Sequence, residues 1–121
     1  INTTEAKDLE LYLSVIVKTH DDFLGQGVKP DIILAFRGYA VTFISSDRKR
    51  FDTEQHEALD LIAEHINRLS QKGVRMESCV MAMRTLSVGQ DTLLTGVTTV
   101  GNAFVSLTGY QMKDYAIIPI Y

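Results

Sequence analysis

Cysteine, tryptophan and long apolar runs are scarce in this sequence. The chain has 121 residues, with one cysteine, two prolines and no tryptophan. The single cysteine, Cys79, cannot form an intrachain disulfide, so the fold does not depend on oxidation. No apolar run approaches the ~18 residues that a membrane-spanning helix needs. The sequence therefore excludes a disulfide-stapled scaffold, and we expect no membrane partner.

An excess of one charge sign is also absent. Twelve Lys and Arg stand against fifteen Asp and Glu, which gives a formal net charge of −3. The longest basic run, residues 47–50, is more typical of a solvated loop than of a phosphate-binding patch. Composition thus gives no electrostatic argument for binding nucleic acid, and we expect no nucleic-acid partner.

Cofactor and metal motifs are missing as well. Neither glycine-containing segment, 25–30 or 96–104, fits a dinucleotide fingerprint or a P-loop. The methionines around Cys79 are more typical of core packing than of a soft-metal site. A cysteine protease needs a histidine base, but no histidine has a local catalytic motif, and His20 falls on an apolar helix stripe. We therefore expect no cofactor and no metal.

Two long helices are predicted from apolar spacing. Apolar residues recur every three or four positions up to Leu24, which predicts a helix capped by Thr3 or Thr4 and ended by Gly25. Asp52 and Gln55 form a capping box before a second such pattern. That pattern predicts a helix over residues 53–71.

Shorter elements fill the rest of the chain. The segment 39–45 is ambiguous between helix and strand, and residues 91–94 suggest one helical turn. Short helices are predicted over 80–86 and 102–113. Pro119 places the last strand at an edge, because proline cannot donate to a ladder. The predicted strands are the runs 31–38, 74–79, 97–100 and 115–120.

Strands that alternate with helices predict a parallel α/β sheet covered by helices on both faces, in a single domain over residues 1–121. In such sheets, ligands lie beyond the carboxyl ends of the strands. Two positions satisfy that rule. Arg37 and Gly38 follow the first predicted strand, and Cys79 ends the second. Because consecutive strands are often adjacent, we expect these positions to be neighbours.

Cys79 is predicted to stand between a strand and a short helix. Amides at a helix N-terminus, with Arg75, Arg84 or Arg37 nearby, would stabilise a thiolate. Without a second cysteine, the chemistry left is transfer, either as a persulfide or as a mixed disulfide. A lone cysteine is also commonly an inert core residue. The pattern alone leaves both interpretations open.

Three segments, in order, resemble the DsrE/DsrF-like family of small sulfur-relay proteins. The first is similar to a family strand that ends in a glycine turn, the second to a long helix followed by a strand and its cysteine, and the third to the closing strand, helix and Tyr–Ala run. Together they span residues 30 to 120. The segments are "PDIILAFRGYAVTFI", "LIAEHINRLSQKGVRMESCVMAMRTL" and "LLTGVTTVGNAFVSLTGYQMKDYAIIPI".

The resemblance implies a flavodoxin-like three-layer sandwich with a mostly parallel sheet of four to five strands. It also implies a homo-oligomer, often a trimer or hexamer, and a sulfur-carrying cysteine, which by position is Cys79. The expected function is to hold sulfane sulfur there as a persulfide, between donor and acceptor proteins. The alternative is a non-catalytic oligomeric scaffold with a buried, inert cysteine. The candidate substrate-binding residues are Arg37, Gly38, Arg84 and Asn102.

Two departures from the family pattern stand out. Members usually begin with a strand before the first helix, whereas this chain opens directly into the helix, so we expect that strand to be absent or trimmed. Many relatives have glycine before the final Tyr–Ala, where this chain has Asp114. We expect a cytoplasmic protein. The alternative is a periplasmic protein after removal of an export signal.

Overall fold

A computed structural model describes all residues from Ile1 to Tyr121. Three short 3₁₀ turns, at Gly38–Thr42, Thr53–Gln55 and Gln90–Thr92, connect the main elements. None of the helices combines the length and the apolar composition that crossing a membrane requires. The main elements are α1 (Ala6–Gly25), β1 (Ile33–Phe36), α2 (His56–Gln71), β2 (Arg75–Cys79), α3 (Val80–Thr85), β3 (Val97–Val100) and α4 (Ala103–Met112).

The sheet has three parallel strands in the order β1-β2-β3. Phe36 of β1 lies opposite Ser78, and Cys79 at the end of β2 lies opposite Val100. Strands that follow one another along the chain are therefore neighbours in space, and their carboxyl ends meet at one edge. This confirms the predicted parallel α/β fold and the expected adjacency of the two strand ends.

The prediction of four to five strands is wrong, because the sheet has three. The run 115–120, predicted as the last strand, lies across an apolar groove from β1. It reaches the start of the chain only where the Asn2 nitrogen donates to the Ile120 oxygen at 2.8 Å. Ile1 occupies that edge of β1, because its ammonium donates to the Ala35 oxygen at 2.7 Å and its oxygen accepts from the Arg37 nitrogen at 3.0 Å. The run 115–120 therefore has no strand of the sheet to pair with. The flavodoxin-like arrangement stays a prediction.

One face of the sheet packs on α1 and α2. Alternate residues of β1 and β2 point to this face, because side chains along a strand alternate with a period of two. Stripes at helical spacing on α1 and α2 meet them. His20, expected to be tucked into the helix packing, is buried there. The main contributors to this core are Leu9, Leu13, Leu34, Phe36, Ile62, Ile66 and Met76.

Helix starts were predicted with mixed success. Glu5 occupies the N-cap position of α1 without a side-chain hydrogen bond, so the prediction of a threonine cap is wrong. Thr3 is instead fully buried. The capping box before α2 is confirmed, since the Asp52 nitrogen donates to Gln55 Oε1 at 3.2 Å. The difference arises because packing of the segment before α1 overrides local capping preference.

The opposite face of the sheet lies under α4. By the pairing register, this face carries Ala35 of β1 and Arg75, Glu77 and Cys79 of β2. Ser106 and Tyr110 of α4 bond to Glu77, which fixes the helix over these residues. Helices therefore cover both faces of the sheet, α1 and α2 on one and α4 on the other.

Candidate functional site

Cys79 ends the central strand of the sheet and caps the next helix. It is the last residue of β2 and the N-cap of α3, with φ −73° and ψ 116°. The extended backbone keeps its side chain on the strand alternation, on the same face as Glu77. The residue is 6% exposed and carries a free thiol. The thiol is therefore positioned at the carboxyl edge but covered.

Arg37 lies beside Cys79 at this edge. Its backbone is extended, with φ −143° and ψ 171°, so strand geometry continues one residue past β1. Since neighbouring strands lie about 4.8 Å apart, Arg37 stands next to Cys79 on the same face. The guanidinium carbon lies 5.7 Å from the ring centroid of Phe104, at the start of α4. Arg37 thus brings positive charge to the edge and contacts the helix that covers it.

Gly38 makes the turn that follows. Its φ is +57°, in the left-handed region that favours glycine. A Cβ at this position would lie 1.9 Å from Oδ1 of Asn2, so the Asn2 side chain would have to move. Glycine is therefore favoured here by its backbone conformation, and a larger residue would also displace the Asn2 side chain.

Asn102 and Arg84 complete the predicted set, with different outcomes. Asn102 follows β3 at the same edge, and its Oδ1 accepts a hydrogen bond from the Phe104 nitrogen at 2.9 Å, which caps α4. Arg84 lies in the last turn of α3, exposed and at the opposite end of that helix from Cys79. The structure thus gathers Arg37, Gly38 and Asn102 around the strand ends and leaves Arg84 apart.

A carboxylate missed at the sequence level lies under α4. Ser106 Oγ donates to Glu77 Oε1 at 2.5 Å, and the Tyr110 hydroxyl donates to Oε2. This hydrogen bond to the carboxylate raises the pKa of Tyr110, and burial adds to the effect. The alternation in "VRMESC" predicts that Glu77 shares the face of Cys79, but it does not predict its partners on α4.

A second polar cluster joins the segment after α4 to the sheet. Arg75 Nη2 donates to Asp31 Oδ1 at 3.1 Å and to the Tyr115 hydroxyl at 2.9 Å. The Tyr115 hydroxyl in turn donates to Asp31. These two partners, Tyr115 first and then Arg75, lower the pKa of Asp31. Tyr110 and Tyr115, whose rings meet with centroids 5.3 Å apart, therefore also act through their hydroxyls.

A separate apolar groove opens on the outer side of β1. Its volume is about 630 Å³, and 18 of its 23 lining residues are hydrophobic. Its walls come from α1, β1, α4 and the run 115–121. Among the predicted site residues, Arg37 alone borders it. The groove and the thiol are therefore distinct features that share one arginine.

Metal ligands are not gathered at the thiol. No group of three or more His, Cys, Asp or Glu side chains is placed to hold a metal ion. Glu77 and Asn102 use their side-chain oxygens to hold α4. The edge therefore offers a thiol, a guanidinium and a glycine turn, a set suited to an anionic sulfur group.

Comparisons with known proteins agree with this architecture. A model of the DsrE/DsrF-like family matches residues 1–120. No curated protein matches the chain. A solved structure of a protein of unknown function from Methanobacterium thermoautotrophicum is similar, with 17% sequence identity and a TM-score of 0.66. The match covers 86% of this chain and 83% of that chain, and at this identity it shows the fold alone.

Proposed function

Because the chain belongs to the DsrE/DsrF-like family, we propose that it carries sulfane sulfur as a persulfide on Cys79 and passes it to a partner protein. Membership in this family suggests a role in sulfur relay. The observation that supports Cys79 as the carrier is its place at the carboxyl end of the central strand, directly before α3. Ligands in parallel α/β sheets bind at that edge.

The proposed reaction is a transfer between thiols without net oxidation. The Cys79 thiolate attacks the outer sulfur of a donor persulfide. A new sulfur–sulfur bond forms at Cys79, the donor's own sulfur–sulfur bond breaks, and the donor leaves as a thiolate. An acceptor thiolate then attacks the outer sulfur on Cys79, which regenerates the Cys79 thiolate. Two partner proteins, a donor and an acceptor, follow from this scheme.

The residues near Cys79 would bind the anionic persulfide. Arg37, one strand away, would hold the negative charge of the persulfide, as guanidinium groups do for anions. Gly38 leaves the backbone at the edge free of a side chain, and the Asn102 side chain has amide hydrogens left to donate. Arg84 would act only at longer range, through its charge near α3.

Incubation with a low-molecular-weight persulfide donor tests the proposal. The wild-type protein is expected to gain about 32 Da, the mass of one sulfur atom, on its only cysteine. Intact-protein mass spectrometry measures the gain, and reduction with a small thiol should reverse it. A protein that stays at its original mass under conditions that load a small test thiol would rule out the carrier.

The burial of Cys79 favours a second candidate, a non-catalytic oligomeric scaffold with an inert cysteine. The residue is 6% exposed, and a buried thiol in apolar surroundings reacts slowly. Alkylation across a range of pH separates the two functions. Modification in the native protein with a midpoint below that of a free thiol supports the carrier, whereas modification only after denaturation supports the scaffold.

We also propose that copies of this chain associate, as a trimer or hexamer. The segment Ala103–Met112 contains no charged residue, and its outer side exposes Val105 at 70% and Met112 at 81%. Exposed apolar residues that lie together on one side of a helix mark an interaction surface. Light scattering coupled to size exclusion should give a mass several times 13.5 kDa. The Val105→Glu variant, changed on the outer side, should shift the mass toward the monomer, and a monomeric wild type would contradict the proposal.

The cytoplasm is the compartment we propose for this relay, with the periplasm as the alternative. Reducing compartments keep thiols free, and the one cysteine here has no intrachain partner. Cell fractionation followed by immunodetection distinguishes the two compartments.

A further inference from the structure

The burial of Cys79 does not come from the main core. Twenty buried residues, mainly from the sheet, α1, α2, α3 and the turn after β1, form one hydrophobic cluster, and Cys79 is not among them. The buried apolar residues outside that cluster are Ala35, Cys79 and Ala103. By register, the first two lie on the sheet face under α4, and Ala103 is the first residue of α4. By register, the thiol therefore lies on the sheet face that α4 covers.

Apolar packing holds α4 only weakly. Of its ten residues, only Ala103 is buried, and none belongs to the core cluster. Ser106 comes three residues after Ala103, and Tyr110 comes four residues after Ser106. All three therefore lie on the side of the helix toward the sheet. Two of the three are polar and point to one carboxylate. Polar contacts therefore account for much of what keeps α4 in place.

Glu77 provides those contacts, two residues before the thiol and on the same face. Its two oxygens accept hydroxyl hydrogens from successive turns of α4, Ser106 at 2.5 Å and then Tyr110. Arg75 adds a second contact, with its guanidinium carbon 5.8 Å from the centroid of the Tyr110 ring. At the other end of α4, Phe104 meets Arg37 beside Cys79.

We propose that Glu77 is a positioning residue that holds α4 over Cys79, and that release of α4 from Glu77 exposes the thiol to its sulfur donor. This inference rests on the proposed carrier function. It reconciles a buried thiol with a transfer reaction. Within one chain few apolar contacts are lost when α4 opens. In a chain whose α4 is not held in an interface between copies, this opening therefore needs less free energy than unfolding of the core under α1 and α2.

The rate of Cys79 alkylation under native conditions tests the inference. Removing one hydroxyl that bonds to a charged acceptor, in Tyr110→Phe or Ser106→Ala, is expected to raise the rate roughly tenfold. The matched controls remove hydroxyls elsewhere. Thr108→Ala acts on the outer side of α4, and Tyr12→Phe acts on an exposed tyrosine of α1. Both controls should alkylate at the wild-type rate.

Conservative substitution and hydrogen exchange separate positioning from general stability. Glu77→Gln keeps one acceptor oxygen and should alkylate more slowly than Glu77→Ala. In Tyr110→Phe, the amides of α4 should exchange faster while those of α2 keep their wild-type rates. Equal acceleration in α2 and α4 would overturn the inference, because the thiol would then be exposed by global unfolding.

Failure of this inference and failure of the carrier are distinguishable. Alkylation rates that match the controls in Ser106→Ala and Tyr110→Phe would overturn the role of Glu77, even if the wild type takes up sulfur. Faster alkylation in those variants supports the role of Glu77, whether or not the protein takes up sulfur. Absence of sulfur uptake would instead reject the carrier function.

Discussion

The Cys79→Ser variant is expected to take up no sulfur from a persulfide donor while keeping the wild-type fold. Serine oxygen cannot accept a sulfane sulfur under these conditions, and the chain has no second cysteine to replace the thiol. The change is tolerated structurally because Cys79 is the N-cap of α3, a position where serine is preferred. Cys79 itself makes no cap hydrogen bond, and the serine hydroxyl is expected to add one, which offsets the burial of that hydroxyl. Intact-protein mass and thermal unfolding, measured on the same sample, check both parts.

Cys79→Ala is the matched control for the fold, because alanine removes the thiol without supplying a cap. It should also gain no mass, and it should be less stable than Cys79→Ser by roughly 1 kcal/mol, the usual value of an N-cap. A gain of about 32 Da in Cys79→Ser that survives denaturation would place the sulfur on another residue and remove Cys79 from the proposed reaction.

Local sequence patterns were sufficient for most of the scaffold. The α2 capping box, the glycine turn after β1 and the strand–cysteine–helix order are set by residues within a few positions of one another. The adjacency of Arg37 and Cys79 followed from the rule that consecutive strands of α/β sheets pair. These features need no knowledge of distant contacts, and each was found in the structure.

Structural features that depend on residues far apart in the sequence were either not predicted or predicted wrongly. Glu77 meets Ser106 and Tyr110 across 29 and 33 positions of the chain, and no local pattern encodes such a contact. The run 115–120 has the composition of a strand, but the edge of β1 that it would pair with is bonded to Ile1, at the other end of the chain. The burial of Cys79 could not be predicted for the same reason, because it depends on the position of α4.

The placement of α4 therefore changes the question that the sequence raised about Cys79. Its predicted place at a strand end before a helix made the thiol a candidate nucleophile. Its being the only cysteine made it equally a candidate core residue. The structure puts it outside the main core but under a helix held largely through Glu77. Reactivity then depends on the opening of α4 as much as on the charge near the thiol.

A large loss of stability is expected from a substitution on the core side of the sheet, at the carboxyl end of β1. Phe36 is fully buried at the end of β1, opposite Ser78 and directly before Arg37. Phe36→Ala removes a whole aromatic ring from the cluster between the sheet, α1 and α2, and leaves a cavity that the neighbours fill only in part. The expected loss is about 3–5 kcal/mol in the free energy of unfolding, measured by urea denaturation.

Phe23→Ala is the matched control, since Phe23 lies in α1 and is 39% exposed. Its loss should stay near or below about 1 kcal/mol, because much of that ring is already in water. Domains of this size are commonly stable by only about 5–15 kcal/mol, so Phe36→Ala should remove a large share of the total. Equal losses in the two variants would contradict the assignment of Phe36 to the core, and with it the packing that fixes Arg37 beside Cys79.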